Sequence, residues 1–391
     1  MTKRGSTSGT RLRAVNIALA LAIVLLPAVV AEARTYKVLY NFTGGSDGGY
    51  PVYGSLVLDE AVNLYGTTDY GGTNYCGTVF QVTPSGTENV LYNFTCGADG
   101  GYADSSVVLS GNTLYGTTSS GGSGYGVVFA VNIKAMTETV LYTFTGGSDG
   151  GYPYSGVILK NGILYGTTSS GGSSSHGVVY SVVVETGKET VLHTFAGSDG
   201  DDPFGGNLTL DKTGKILYGT TAYGGSYGYG VVFSLTIKNA KYKVLHHFKG
   251  RADGLSPVGT MTLDTAGNLY GTTMGSTGSS GYYGTVFRVV PTGKETVLYS
   301  FTGGADGGSP YGGVLWTRKG LYGTTSDYGT SGYYGVIFKV VKTTETVLHS
   351  FGYSDGASPF CAVIMDAKGN IYGTTETGGS ADYGTVWELT P

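Results

Sequence analysis

Charged residues, proline and cysteine are all scarce in this chain of 391 residues. Charged side chains make up 13% of the sequence and nearly balance, with 23 Lys and Arg against 27 Asp and Glu. A nucleic-acid-binding protein needs clustered basic side chains to replace counterions, and no such run occurs, so this class is excluded. The chain has only 10 prolines and its glycines follow no three-residue period, which excludes collagen. With 40% hydrophobic residues and a net charge of −4, it is also too apolar to be disordered.

The first 33 residues have the features of a secretory signal peptide. Basic residues precede an apolar run over 17–30, and Ala31-Glu32-Ala33 forms a small-x-small cleavage site. A membrane anchor is the alternative, but the run is shorter than the roughly 20 residues of a spanning helix and contains Pro27. No second apolar stretch of spanning length follows. The sequence therefore predicts cleavage after Ala33 and a secreted or extracytoplasmic protein without a membrane span in the mature chain.

Glycine and tyrosine are abundant, with 70 and 33 residues, and much of this content is repeated. A pentapeptide, Leu/Ile-Tyr-Gly-Thr-Thr, recurs seven times at intervals of 50 to 53 residues. A Val-Leu-Tyr/His-x-Phe run, an Asp-Gly pair and a Gly-Thr/Val-Val/Ile-aromatic run keep step with it. The pentapeptide tyrosines are Tyr65, Tyr115, Tyr165, Tyr218, Tyr270, Tyr322 and Tyr372. Repeats of about 51 residues fill 34–391, which predicts a single domain there.

Each repeat predicts four short strands. In repeat six these are Gly313–Thr317, Leu321–Thr325, Gly335–Val340 and Thr346–Phe351, all rich in Val, Leu, Ile and Tyr and bounded by turn residues. Four strands in a repeat of this length are typical of a β-propeller. A β-helix uses shorter repeats, and a helical solenoid would show a 3.6-residue period that is absent here.

The two ends of the repeat region predict how the ring closes. The region opens on 38–42, the run that ends the other repeats, and it finishes on 384–387, the run that should precede it. We therefore predict an all-β, seven-bladed propeller with four-stranded blades. Its N-terminal strand joins the C-terminal blade, so that no edge strand is left open.

The four motifs, in register seven times, resemble the GloVer tandem repeat of exported bacterial proteins. The resemblance covers essentially everything after the predicted signal peptide. It implies export and a bacterial source, and it provides no catalytic residues to carry over.

The Asp-Gly pairs are expected to form turns, because Asp accepts local backbone hydrogen bonds and Gly tolerates positive φ. A calcium loop, the alternative, needs several oxygen ligands at close spacing, and most repeats offer one. Three histidines, His193, His246 and His349, replace the strand tyrosine and are expected to pack as it does. The sequence predicts no metal site and no cofactor. The aspartates of the pairs are Asp47, Asp99, Asp149, Asp199, Asp253, Asp306 and Asp355.

Two of the three cysteines belong to one repeat. Cys76 replaces the tyrosine before the Gly-Thr-Val-Phe strand, and Cys96 replaces a glycine after the next strand. These strands should form a hairpin around 84–87, which places the two residues opposite each other. In an exported protein we expect a Cys76–Cys96 disulfide, with Cys361 unpaired and buried.

Two sets of loops should emerge together on one face of the propeller: those that follow the pentapeptide and those that carry the Asp-Gly pair. They are rich in Gly, Ser and Tyr and vary most between repeats, as functional loops do. Their tyrosines can stack on sugar rings and hydrogen-bond to hydroxyls, although packing between Gly-rich loops is the alternative. The candidate ligand-binding residues are Tyr50, Tyr70, Tyr102, Tyr152, Tyr223 and Tyr328.

Acidic residues follow the pentapeptide in only three repeats, as Asp69, Asp327 and Glu376. Ring closure makes these repeats neighbours, so the three are candidate catalytic residues, since two carboxylates can act as acid and base on a glycosidic bond. Ordinary surface carboxylates are the alternative. If the three converge, their mutual repulsion should raise at least one pKa.

Two functions from different classes fit these observations. The leading hypothesis is a non-enzymatic exported propeller that binds an extracellular glycan or a cell-surface protein, since no catalytic constellation is recognisable. The second is a carbohydrate-active hydrolase or lyase that uses the loop carboxylates and a tyrosine. A purely structural role in the cell envelope is also open.

Overall fold

β-Branched and aromatic residues form 28 short strands in the part of the chain that the structure describes. In this computed structural model the described residues are 1–2, 5, 34–250, 253–275 and 283–390. The predicted signal peptide, 1–33, lies almost wholly outside them, as does its cleavage site. All the strands belong to one compact unit, Arg34–Pro391. Within the described ranges, no helix is long and apolar enough to cross a membrane.

The strands form seven antiparallel four-stranded sheets, the blades. The chain starts with β1 (Thr35–Asn41) and then enters blade one. Blade one consists of β2 (Val57–Leu58), β3 (Leu64–Thr68), β4 (Thr78–Val82) and β5 (Glu88–Asn93). Blade two consists of β6 (Val108–Ser110), β7 (Thr113–Thr118), β8 (Val127–Asn132) and β9 (Thr137–Thr143). Blade three consists of β10 (Ile158–Lys160), β11 (Ile163–Thr168), β12 (Val178–Val183) and β13 (Glu189–Thr194).

The remaining blades follow the same order. Blade four consists of β14 (Thr209–Leu210), β15 (Ile216–Thr221), β16 (Val231–Thr236) and β17 (Lys241–His247), with a 3₁₀ helix at Ile237–Asn239. Blade five consists of β18 (Thr262–Leu263), β19 (Leu269–Thr273), β20 (Thr285–Val289) and β21 (Glu295–Ser300). Blade six consists of β22 (Val314–Thr317), β23 (Gly320–Thr325), β24 (Val336–Val341) and β25 (Thr344–Ser350). Blade seven contains β26 (Ile364–Met365), β27 (Ile371–Thr375) and β28 (Thr385–Thr390).

The fourth strand of blade seven is β1, which confirms the predicted closure. It pairs antiparallel with β28, with Val38 opposite Trp387 and Asn41 opposite Thr385. The Phe42 N–H continues the ladder by donating to Gly384 O at 3.0 Å. The fold is thus an all-β, seven-bladed propeller, as the repeats predicted.

The glycine of the pentapeptide allows an aromatic ring to cross the middle of each blade. A Cβ added to Gly66 would lie 2.7 Å from the ring of Phe80, a residue of β4 that is fully buried. The same close approach occurs in the other six blades, at Gly116, Gly166, Gly219, Gly271, Gly323 and Gly373. Packing therefore explains why this glycine recurs in every repeat, since any side chain there would displace the ring.

The first threonine of the pentapeptide connects neighbouring blades. The Thr67 hydroxyl donates to Ser105 O at 2.7 Å, and the Thr374 hydroxyl donates to Pro51 O at 3.3 Å. Each bond joins the second strand of one blade to the loop that enters the next. The hydroxyl of the first threonine therefore links adjacent blades.

The Asp-Gly pairs form turns, as expected. Asp149 accepts the Thr145 N–H at 2.8 Å and the Tyr142 hydroxyl at 3.0 Å. Burial opposes ionisation, but the hydrogen bonds from Thr145 and Tyr142 hold the pKa of Asp149 below its ordinary value. Where histidine replaces the tyrosine, the imidazole contacts the aspartate in place of the tyrosine hydroxyl. His193 Nε2 lies 3.0 Å from the Asp199 carboxylate.

The hairpin of blade one carries the predicted disulfide. Cys76 and Cys96 are bonded, with their Cα atoms 5.5 Å apart. Cys361 is a free, buried thiol whose Sγ lies 2.9 Å from the Thr374 hydroxyl. Both cysteine predictions are confirmed.

Five glutamates, each the first or second residue of an outer strand, face an Asp-Gly aspartate across the seam between blades. In each, the Oε1 atom is buried without a hydrogen-bond partner among the described residues. Burial first, and then the charge of the facing aspartate, raises each pKa from 4.5 to about 7. The glutamates are Glu88, Glu138, Glu189, Glu295 and Glu345.

Because of these five glutamates, we expect the protein to become more stable as the pH falls from about 8 to about 5. A carboxyl with a raised pKa binds its proton more tightly in the folded state. The stabilisation is fully present below pH 4.5, the unfolded value, and is lost as the pH rises through about 7, the folded value. Thermal unfolding across this range measures the effect. Glu138→Gln should raise the midpoint at pH 8, whereas Glu60→Gln, at an exposed site, should not. A midpoint that rises with pH between 5 and 8 would contradict the assignment.

Candidate functional site

Two sets of loops meet on one face of the propeller, as predicted. The backbone of each Asp-Gly loop pairs with the loop after the pentapeptide, for example Gly49 with Tyr70 and Gly308 with Asp327. We call these segments together the loop face. The described Asp-Gly loops are 42–56, 94–107, 144–157, 195–208, 248–250 with 253–261, 301–313 and 351–363. The described loops after the pentapeptide are 69–77, 119–126, 169–177, 222–230, 274–275 with 283–284, 326–335 and 376–384.

All the exposed tyrosines of the described chain lie on the loop face. Two are predicted ligand-binding residues, Tyr102 at 39% exposure and Tyr223 at 48%. The other six were not predicted from the sequence, and several of them lie two or three residues before the third strand of a blade. The eight are Tyr75, Tyr102, Tyr125, Tyr223, Tyr227, Tyr229, Tyr333 and Tyr353.

The other four predicted tyrosines, Tyr50, Tyr70, Tyr152 and Tyr328, are partly buried. Tyr50 and Tyr152 share one position with Tyr102, where the backbone is left-handed with φ of 52° to 56°. The N–H of Tyr50 donates to Tyr383 O at 2.9 Å, which ties blade one to blade seven. These residues therefore have a structural role through their backbone, whatever their side chains contact.

A group of tyrosine rings lies where blades seven and one meet. The ring of Tyr50 lies 5.2 Å from that of Tyr383 and 5.9 Å from that of Tyr70. Tyr70 also lies 5.5 Å from Tyr75, which is 57% exposed. The structure thus brings two predicted tyrosines together and adds two others. The result is an aromatic surface with hydroxyl groups.

The centre of the loop face is filled by five aromatic rings. Tyr53 of blade one lies 5.1 Å from Phe204 of blade four and 5.6 Å from Phe360 of blade seven. Rings from blades that are not neighbours can meet only at the axis of the propeller. We call the five the axial rings: Tyr53, Tyr154, Phe204, Tyr311 and Phe360.

Blade two places a carboxylate at the position of an axial ring. Asp104 aligns with Tyr154 and Phe204, because each is the second residue after the left-handed position. Asp104 is only 7% exposed, and its Oδ1 has no hydrogen-bond partner among the described residues. Burial, and then the charge of Asp69, raises the pKa of Asp104 well above its ordinary value.

Asp69, a predicted carboxylate, lies beside Asp104, and Glu376, another, lies near Asp69. Asp69 and Glu376 directly follow the pentapeptide, and their N–H groups donate to Tyr50 O and Ser358 O. Burial raises the pKa of Asp69 to about 6. Burial, and then the charge of Asp69, raises the pKa of Glu376. We call Asp69, Asp104 and Glu376 the axial carboxylates.

Asp327 occupies a different position from Asp69 and Glu376. The residue that directly follows the pentapeptide in blade six is Ser326, and Asp327 comes one residue later, paired with Gly308. It therefore corresponds to Tyr70 of blade one. The sequence analysis grouped Asp327 with the other two and omitted Asp104. The sequence signal for Asp104 was a position that holds an aromatic residue in four other repeats, a valine in two and an aspartate in this one.

The described residues contain no group of three His, Cys, Asp or Glu side chains arranged to hold one metal ion. The axial carboxylates lie around Tyr53: burial raises the pKa of Tyr53, and the charges of Tyr311 and of the three carboxylates add to the increase. A raised pKa makes Tyr53 a poor base, although a carboxyl with a raised pKa can serve as an acid.

Comparisons with known proteins agree with this architecture. A family model described as the Gloeobacter/Verrucomicrobia repeat matches residues 28–217 and 207–391. A search of curated protein sequences found no match.

Among solved structures, a chain of the Mitotic Checkpoint Complex is similar at 11% identity, with a TM-score of 0.54 over 96% of this chain and 99% of that one. The GH74 enzyme of Niastella koreensis has 14% identity and a TM-score of 0.55, over 83% of this chain and 51% of that one. The extracellular domain of a proposed one-component system from B. thetaiotaomicron has 10% identity and a TM-score of 0.55, over 90% and 40%. At these identities the similarity concerns the fold alone.

Proposed function

Since the chain belongs to the Gloeobacter/Verrucomicrobia repeat family, whose repeats here form a closed propeller, we propose that it is an exported protein that binds extracellular glycan through its loop face. The observation that carries the proposal is that the eight exposed tyrosines of the described chain all lie on this one face. A tyrosine ring offers a flat apolar surface for the C–H face of a sugar and a hydroxyl for its polar groups. Scattered surface tyrosines would show no such preference.

The rest of the loop face also suits a carbohydrate ligand. Small residues between the tyrosines leave the rings accessible, and the tyrosine group at blades seven and one presents several rings within about one sugar length of each other. The backbone hydrogen bonds between the two loops of each blade hold these rings in place before a ligand arrives, which reduces the entropy lost on binding.

Glycan-array binding followed by calorimetry on the best oligosaccharide tests this function. We expect Tyr223→Ala to weaken binding about three- to tenfold, the range for loss of one aromatic contact. Val341→Ala, at an exposed residue outside the loop face, is the matched control and should leave affinity unchanged. Equal affinity of the protein and a variant lacking Tyr75, Tyr102 and Tyr223 would show that the tyrosines do not form the binding surface.

A second function, glycoside hydrolysis, is favoured by one observation. Asp69 has a pKa raised to about 6 and lies near a second carboxyl with a raised pKa, so a general acid is available near neutral pH. Product analysis on the glycans that bind distinguishes the two functions. Turnover that Asp69→Asn abolishes would establish the hydrolase, and binding without products would support the binding protein. A lyase with a tyrosine base fits less well, because burial raises the pKa of Tyr311 as well as Tyr53.

A further inference from the structure

Nearly all the charged side chains of the loop face are acidic. Among its described residues, Lys249, in the loop between blades four and five, is the one lysine or arginine. Its acidic residues are Asp47, Asp69, Asp99, Asp104, Asp149, Asp199, Asp201, Asp202, Asp253, Asp306, Asp327, Asp355, Glu376 and Asp382. The chain as a whole has 23 basic residues against 27 acidic ones, so the imbalance belongs to this face.

The axial carboxylates are consecutive around the ring. The Thr374 hydroxyl, two residues before Glu376, bonds to the loop of blade one that carries Tyr53. The Thr67 hydroxyl, two residues before Asp69, bonds to Ser105, the neighbour of Asp104. These contacts place Glu376, Asp69 and Asp104 side by side on blades seven, one and two, on the opposite part of the ring from Lys249.

Asp104 is the axial carboxylate whose surroundings indicate a bound ligand. Its side chain occupies the place of an axial ring and is more than nine-tenths buried, yet its Oδ1 has no hydrogen-bond partner among the described residues. A buried carboxyl oxygen without a donor costs free energy unless a ligand supplies the donor. Oδ1 of Asp253 and Oε1 of the five glutamates between blades also lack a partner within the described chain, but these carboxyls lie away from the axial rings. The Asp-Gly aspartates in addition accept bonds from their own loops.

We propose that the axial carboxylates bind the protonated amine of an amino sugar, so that the glycan bound by this face is cationic. An ammonium group donates three hydrogen bonds, so it can supply the donor that Oδ1 of Asp104 lacks. Its positive charge is also attracted by the carboxylates of Asp69 and Glu376. The rings of Tyr53 and Tyr154 beside it suit both a cation and a sugar ring. This inference rests on the proposed function and narrows its substrate class.

Calorimetry with two chitin-derived tetrasaccharides tests the inference. The fully deacetylated tetramer carries amines, and the fully N-acetylated tetramer has the same sugar rings without charge. We expect the deacetylated tetramer to bind at least tenfold more tightly at pH 6 and low salt, and added salt to reduce this preference. Binding should also release protons, which buffers of different ionisation enthalpy will detect, because an ammonium favours ionised carboxylates.

Variants of the axial carboxylates provide the structural test. Asp104→Asn and Glu376→Gln should each reduce the preference for the amine form at least tenfold. Asp104→Asn should fold with an unchanged or higher unfolding midpoint, since the replaced oxygen has no partner to lose. Asp382→Asn is the matched control on the same face: Asp382 accepts a bond from the Gly378 N–H, which Asn can also accept, and the preference should remain.

The outcomes separate this inference from the proposed function. Equal affinity for both tetramers would overturn the inference and leave glycan binding in place. If neither tetramer nor any other glycan binds, the proposed function fails. Binding of spermidine, which has amines without a sugar ring, then tests the amine site by itself. Spermidine binding that Asp104→Asn abolishes would support the amine site. Spermidine binding that is absent, or unchanged in this variant, would overturn it.

Discussion

Replacing Phe42 by alanine is expected to lower the free energy of unfolding by about 3–5 kcal/mol, the usual cost of removing a buried phenylalanine. Phe42 follows β1 and is fully buried, with its ring 5.1 Å from that of Phe80 in blade one. The loss has this size only if the N-terminal strand completes blade seven. A strand end outside the ring would place Phe42 in solvent, where its removal costs little. Urea unfolding at equilibrium measures the change.

Phe144→Ala provides the matched control. Phe144 occupies the equivalent position after β9 and is also fully buried, against Tyr180 of the next blade. Its blade is continuous in the chain, so its contribution does not depend on closure. We expect similar losses for Phe42→Ala and Phe144→Ala. A loss below about 1 kcal/mol for Phe42→Ala alone would be inconsistent with the closed ring.

Removal of the disulfide is expected to lower the free energy of unfolding by about 3 kcal/mol, the entropic contribution for a loop of this size. The two cysteines are 20 residues apart, and the bond joins the ends of the blade-one hairpin on the loop face. The double variant Cys76→Ser with Cys96→Ser should show the loss in denaturant unfolding. A reducing agent should destabilise the native protein by a similar amount.

The reducing agent supplies the control for this prediction. Cys361 is the remaining thiol, buried at 2% exposure, and should not respond to reduction. The double variant should therefore unfold at the same denaturant concentration with and without the reducing agent. If the native protein is equally insensitive, the two cysteines are free thiols under these conditions.

The repeats made most of the fold predictable. A pattern that recurs seven times shows the same strands seven times, so an error in one repeat is corrected by the others. In repeat six, the predicted strand Leu321–Thr325 corresponds to Gly320–Thr325, and the predicted Gly335–Val340 corresponds to Val336–Val341. The closure of the ring followed from the same logic, because 38–42 matches the run that ends every other repeat.

The candidate site was less predictable, because function lies where the repeats differ. Asp69 and Glu376 were visible as acidic exceptions after the pentapeptide, but a one-residue difference in register separates Asp327 from them. Tyr75 and Tyr333 are exposed only because the loops turn outward there, which the composition of a Gly-rich loop does not show. The burial of Tyr50 among other rings was equally hidden.

By itself, the sequence determined the propeller, its seven blades, its closure, the Asp-Gly turns and the disulfide. All of these depend on local strand and turn preferences, or on residues that a hairpin or a repeat brings together. Only the tertiary structure decided that Asp104 lies among aromatic rings on the axis, with Asp69 beside it and Glu376 on the other side of Asp69. Contacts across the axis join residues that are up to about 300 positions apart, such as Tyr53 and Phe360. No local pattern encodes such contacts, because they exist only once the ring has closed and the blades have brought their loops to a common centre.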